Sequence, residues 1–184
     1  MSTQRRLADD NKIVLKGVVK STKLWDYQYP SVLITLDVDG DVFSVKFSTN
    51  KEELLYSSHE MLVGKPVTLV AAFDSWEKEG VMSYGLKSYE KKIVMNRADV
   101  TTALNYVHVI ATIMQKKPHK DGFMYQMKFG VMNPKTQAWS DKFLRMHSTK
   151  DMAENTKVMV NGSLAKDGDI TYVAADEGYP VAIE

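Results

Sequence analysis

The sequence predicts an all-β protein built of two tandem small barrels, each with five strands and a short helix between strands three and four. Three observations carry this prediction. Apolar and polar residues alternate in short runs along nearly the whole chain, the period of half-buried strands. Asp39-Gly40 lies between two such runs, a strong hairpin signal. The third is an internal repeat: Phe43-Ser44-Val45-Lys46-Phe47 returns as Trp139-Ser140-Asp141-Lys142-Phe143. Each block leads into a Ser-Thr pair, Ser48-Thr49 and Ser148-Thr149. Self-similarity on this scale governs architecture, and units of roughly 80 to 90 residues are within the range of independent domains.

In the first copy, residues 12–20 form strand one, with Gly17 as a bulge or bend position. Residues 21–30 form a polar loop carrying Trp25, Tyr27 and Tyr29. Val32, Ile34, Leu36 and Val38 share one face of strand two, and Phe43, Val45 and Phe47 one face of strand three. Thr49 and Glu52 have the spacing of a capping box, which predicts a short helix to about Leu62. Residues 66–73 and 82–90 are strands four and five, joined by a loop containing Trp76 and Lys78. In the second copy the strands are 106–114, 123–132, 137–145, 157–164 and 170–175, with helical residues at 148–155 and a short edge at 179–183. The resulting division is a flexible N-terminus at 1–11, a first domain at 12–92, a linker at 93–104 and a second domain at 105–184.

Composition excludes several function classes. The absence of cysteine rules out disulfides, thiol catalysis and Cys-ligated zinc. No apolar run approaches the ~18 residues of a membrane span. Met1 to Asn11 is polar and reads as no secretion signal, so a cytoplasmic location is expected. The net charge of +1 is unevenly distributed. From Lys116 to Lys166 ten basic residues face four acidic ones, and from Asp167 to Glu184 there are five acids and no base. A neutral total therefore conceals a polarised chain.

Three strands, a helix and two more strands is the order of the OB-fold, a five-stranded Greek-key barrel. The chain thus resembles a tandem OB-fold protein and, more loosely, the single-stranded DNA-binding proteins of phage and bacterial replication. The acidic end from Asp176 to Glu184 is similar in charge to the tails of such proteins, but reads better as a final strand. That resemblance implies binding on the face of strands two and three, flanked by the loops after strands one and four. A sequence-tolerant single-strand binder needs aromatics on which bases stack and cations that follow the phosphates. Trp25, Tyr27, Tyr29 and Trp76 are the aromatic candidates, with Lys78 beside the last.

By parity, the repeated aromatics point inward while Lys46 and Lys142 point outward with Ser44 and Ser140. Asp141, falling on the inward side, is the exception. The second copy adds Lys116, Lys117, His119 and Lys120 in its first loop, Lys128 on strand two and Arg145 on strand three. The expected division of labour has copy one stacking bases and copy two neutralising phosphates.

Catalytic vocabulary is missing. No carboxylate pair has a spacing that supports acid–base work, and the four histidines have no metal-ligand spacing. Asp37 to Asp41 resembles the start of a calcium loop without its later glutamate and is accounted for as a turn. The methionines fill core gaps. The expected function is non-catalytic binding of single-stranded DNA, or RNA, in replication, recombination or repair, alongside other replication proteins and without a cofactor. The alternative is a structural or adaptor protein whose barrels bind other proteins, as in phage assembly or host-factor capture.

Overall fold

A computed structural model describes residues 9–25, 30–49, 52, 54–97, 102–133 and 136–183. Tyr27 and Tyr29 lie outside these residues. The structure is all-β, with eleven strands: β1 (Asp10–Trp25), β2 (Ser31–Val38), β3 (Asp41–Ser48), β4 (Pro66–Lys78), β5 (Val81–Met95), β6 (Leu104–His119), β7 (Gly122–Met132), β8 (Trp139–Ser148), β9 (Lys157–Asp167), β10 (Ile170–Ala175) and β11 (Val181–Ala182).

The chain divides into two compact units. Unit 1 comprises the described part of Met1–Lys12 together with Ser75–Tyr84 and Val107–Glu184. Unit 2 comprises Ile13–Asp74 and Gly85–Tyr106. In unit 2 the strands pair in the order β1-β2-β3-β5-β4, and β4 returns to pair antiparallel with β1 from Ile13↔Ala71 to Val18↔Pro66. In unit 1 the order is β6-β7-β8-β10-β9, with β9 returning to β6 from Val107↔Gly162 to Thr112↔Lys157. Each cycle has one parallel pair, β3 with β5 and β8 with β10.

The interiors follow from period-two alternation. Ile13, Leu15, Ile34, Leu36, Phe43, Val45, Phe47, Val67 and Leu69 are buried in unit 2. Val107, Val109, Tyr125, Met127, Leu144, Met146, Val158 and Val160 are buried in unit 1. Two local devices recur in both. The first strand has a bulge, between Val19 and Ser21 in one unit and between Ile113 and Gln115 in the other. Beside it, Val19 N–H donates to the Lys65 carbonyl while Gly64 N–H donates to the Val19 carbonyl. Ile113 makes the same two bonds with Thr156 and Asn155. Gly64 and Asn155 both adopt positive φ, 79° and 63°, the left-handed conformation that this reversal requires.

Three expectations need correction. No α-helix element forms between strands three and four among the described residues. In unit 2 that connection is a π-turn, Leu54–Ser58, and a 3-10 turn, His59–Leu62, anchored by Thr22 Oγ1 against His59 Nδ1 at 2.9 Å. In unit 1 side chains satisfy backbone groups that a helix would have paired internally. Ser148 Oγ accepts from Lys150 N–H (3.1 Å), and the Tyr125 hydroxyl donates to the Lys150 carbonyl (2.5 Å) and accepts from Met152 N–H (3.0 Å).

The second correction concerns strand lengths. β1 and β6 run through the stretches read as loops, and Trp25 and Lys116 to His119 lie on strands. Likewise β4 and β5 meet at Glu79-Gly80, both at positive φ, so Trp76 and Lys78 stand on a strand. Gly17 is not at the bulge. It lets the Asp37 carbonyl oxygen approach to 2.1 Å from where a Cβ would stand.

The third correction is the repeat itself. Starting one residue past each bulge, the pairings Thr22↔Ile34↔Val45↔Leu86 correspond to Lys116↔Tyr125↔Met146↔Val173. Lys46 therefore corresponds to His147, five residues past Lys142. An odd slip exchanges the two faces of a strand. Trp139 is accordingly 71% exposed rather than core, and Asp141 points outward beside Lys128 at 3.4 Å.

Candidate nucleic-acid interface

On the outward face of unit 2, register sets side chains in rows across neighbouring strands about 4.8 Å apart. Lys23 on β1, Leu33 on β2, Lys46 on β3 and Lys87 on β5 form one such row. Trp25, opposite Ser31, stands one row further along, and Lys46 Nζ lies 5.9 Å from its ring centroid. That distance is within cation–π range. Lys87 is held by Asp74 at 3.4 Å, whereas Lys23 is exposed with no carboxylate partner among the described residues. The next row is neutral: Ser21, Thr35 and Ser44, with Thr35 Oγ1 and Ser44 Oγ 3.2 Å apart.

Unit 1 presents a more varied face along β7 and β8. The outward pairs are Met124↔His147, Gln126↔Arg145, Lys128↔Phe143, Gly130↔Asp141 and Met132↔Trp139. Lys117 flanks Met124 and Gln115 flanks Gln126 on β6. Trp139 packs against Gly130: a Cβ built on that glycine would be 3.1 Å from Trp139 Cε3 and 3.3 Å from Cζ3. The missing side chain allows the indole to approach the strand while the residue stays 71% exposed. At the opposite end of the face, the Arg145 guanidinium stands 4.2 Å from the Tyr84 ring centroid, and Gln126 Nε2 donates to the Tyr84 hydroxyl at 2.9 Å. Trp76, 51% exposed, and Lys78 belong to the same unit on the β4–β5 hairpin.

Several sequence-predicted cations are already engaged. Lys116 bonds Asp151 at 2.5 Å, and that bond raises its pKa above the usual lysine value. Lys120 pairs with Asp167 at 3.2 Å, which raises its pKa in the same way, and His119 approaches the same carboxylate at 3.4 Å. Lys142 does not point outward. It shares the parity of buried Leu144, its Nζ donates to the Ser75 carbonyl (2.7 Å), and the neighbouring Phe143 N–H donates to Ser75 Oγ (2.8 Å). Lys117 and Arg145 have no carboxylate partner among the described residues.

Sequence reasoning missed Trp139, Tyr84, Gln115 and Gln126. For Trp139 a signal was present: Leu144 and Met146 alternate with Arg145 and His147, which fixes the strand's inner face on even numbers. Tyr84 had none, since its role depends on the β4–β5 hairpin joining unit 1. No group of three or more His, Asp or Glu side chains among the described residues is placed to hold a metal ion. No helix among them is long and apolar enough to cross a membrane.

Comparison with solved structures finds the single-stranded DNA binding protein from Thermus aquaticus. A deletion mutant of that protein matches with a TM-score of 0.70 at 15% identity, covering 96% of each chain. The wild type matches with a TM-score of 0.68 at 14% identity, covering 97% of this chain and 95% of that one. This chain shares their fold. No protein-family model matches the sequence, and no curated protein matches it.

Proposed function

We propose that this protein binds single-stranded DNA without catalysis and with broad sequence tolerance, serving DNA replication, recombination or repair. One observation carries the reading: the outward face of unit 1 sets an open indole, Trp139, on the same two strands as Lys128, Phe143 and Arg145. Stacking platforms interleaved with cations are what a strand of unstacked bases and phosphates requires. The Lys23–Lys46–Trp25 group on unit 2 offers the same chemistry on a smaller scale. The shared fold with a single-stranded DNA binding protein supports the reading. We read each pairing cycle as one OB-type barrel, so the chain carries two modules.

The pairing pattern modifies the expected division of labour. Aromatics and cations occur together on each face, while Lys116 and Lys120 are compensated by Asp151 and Asp167. Among the described residues Lys23, Lys46, Lys78, Lys117 and Arg145 have no carboxylate pair to break before reaching phosphate.

The test is fluorescence anisotropy of a labelled oligo-dT of about 30 nucleotides, which gives two modules about 15 nucleotides each, within the ~4–16 an OB fold occupies. Binding in the micromolar range or tighter, weakened by salt and absent with duplex, is expected. Absence of binding at low salt overturns the reading. The protein-binding alternative draws on the exposed Met132–Trp139 pair, which in that event is the first place to look for a docking surface.

A further inference from the structure

The row Gln115–Gln126–Arg145 across β6, β7 and β8 borders a cavity of about 230 Å³, also lined by Tyr84, Lys117 and Met124. This is smaller than the ~300–1,000 Å³ typical of pockets for drug-sized ligands. Its polar chemistry is lopsided. Its two charged groups, Arg145 and Lys117, are donors only, the lining contains no carboxylate, and its side-chain acceptors are the neutral Gln115, Gln126 and tyrosine oxygens. Arg145 stacks on Tyr84, and Gln126 braces the Tyr84 hydroxyl, so the guanidinium is held as an oriented planar fork. The corresponding row of unit 2 is Ser21–Thr35–Ser44, with no charge and no comparable fork.

We infer that this cavity is a base-discriminating subsite that prefers guanine, set within an otherwise sequence-tolerant interface. The inference rests on the single-strand-binding reading and adds to it. Guanine offers two adjacent acceptors, O6 and N7, which match an arginine fork in two parallel hydrogen bonds. Thymine offers O4 alone. Adenine sets its N6 amino group beside N7, a donor–acceptor pattern that a glutamine carboxamide matches and the arginine fork does not. The expected order is guanine before thymine, the comparison that isolates the fork. Trp139 and Trp25 contribute affinity without altering that order, because every base has a π-face.

The experiment uses the full chain and oligo-dT of about 12 nucleotides, within the range a single OB fold occupies. Thymine is replaced at one central position by guanine, adenine or 7-deazaguanine, which keeps the shape of guanine and lacks the N7 acceptor. A bidentate contact is worth roughly a fivefold or greater preference. Guanine should therefore tighten binding at least about fivefold over dT. The 7-deaza base should lose most of that gain on the wild-type protein, and Arg145→Lys should abolish it while retaining the charge. Oligo-dT binding with no guanine advantage, or an advantage that survives both 7-deazaguanine and Arg145→Lys, overturns the subsite and leaves the function intact. A base-independent loss in Arg145→Ala, with guanine and thymine equal on the wild type, assigns the cavity to phosphate and likewise overturns it. Failure to bind any of these oligonucleotides at low salt sinks both the subsite and the function.

Discussion

Replacing Trp139 with alanine separates the binding role of this residue from a packing role. Trp139 is 71% exposed and packs its six-membered ring against Gly130. A fully buried tryptophan covers up to ~250 Å², so the hidden fraction here is about 70 Å². At ~25 cal/mol per Å² the substitution costs the fold at most about 2 kcal/mol. Removing a stacking partner costs ~1–3 kcal/mol of binding per base, a roughly fivefold to 150-fold weaker complex. The two effects are measured apart, by thermal melting without DNA and by oligo-dT anisotropy well below the melting temperature. Trp139→Phe should recover most of the affinity, because the ring and the glycine beneath it remain. The chain has three tryptophans, so loss of DNA-induced fluorescence quenching in Trp139→Ala gives a second readout. If Trp139→Ala binds oligo-dT within twofold of wild type, the indole is not a stacking platform.

Other outcomes follow from the same geometry. Lys142→Ala should lower the melting temperature with little effect on oligo-dT affinity, because its Nζ serves the Ser75 carbonyl. Ser75→Ala removes the acceptor of Phe143 N–H and should cost about 1–2 kcal/mol in chemical denaturation. Gly17→Ala forces a Cβ against the Asp37 carbonyl of β2, where only backbone movement gives relief. A loss of about 1–3 kcal/mol, or failure to fold, is expected from expression and melting. Salt titration counts the working cations. Lys23, Lys46, Lys78, Lys117 and Arg145 lack carboxylate partners among the described residues, and one phosphate each gives a slope of log K on log salt near −3.5. Recruiting Lys116, Lys120 and Lys128 as well would steepen it to about −5.6, showing that their ion pairs break on binding.

Strand content and the order of strands were legible because period-two alternation encodes them directly. Ile34 and Leu36, Phe43 and Val45, and Val158 and Val160 all lie on the faces that alternation assigns. The connections between strands three and four, expected as helices, were not legible. Thr49 and Glu52 have capping-box spacing, and Ser148-Thr149 opens an apparent helix, but in unit 1 the Tyr125 hydroxyl, 25 residues away from Lys150, supplies the competing hydrogen bonds. A local signal lost to a long-range partner. The repeat misled for another reason. Trp139 to Phe143 resembles Phe43 to Phe47 in residue type, whereas strand equivalence is set by the bulge and its pairing register. Asp141 on the supposed inner face was the warning, and its pairing with Lys128 resolves it.

The charge of the chain shows why composition gave so little guidance about partners. A net of +1 is what an ordinary protein-binding module carries, and on that count alone the adaptor reading gains. Yet total charge weights every cation equally, and folding does not. Lys116 finds Asp151 across 35 residues, Lys120 finds Asp167, Lys128 finds Asp141 and Lys87 finds Asp74. These pairs cancel in any count and do little for a phosphate, because each must first be broken. What distinguishes the faces is the remainder: Lys23 and Lys46 beside Trp25, and Lys117 and Arg145 beside Tyr84. On these two faces, cations without a carboxylate partner among the described residues stand near aromatic rings. That juxtaposition arises from register across strands distant in sequence. A near-neutral chain can therefore present a surface suited to a polyanion, and its neutrality is no argument for the adaptor.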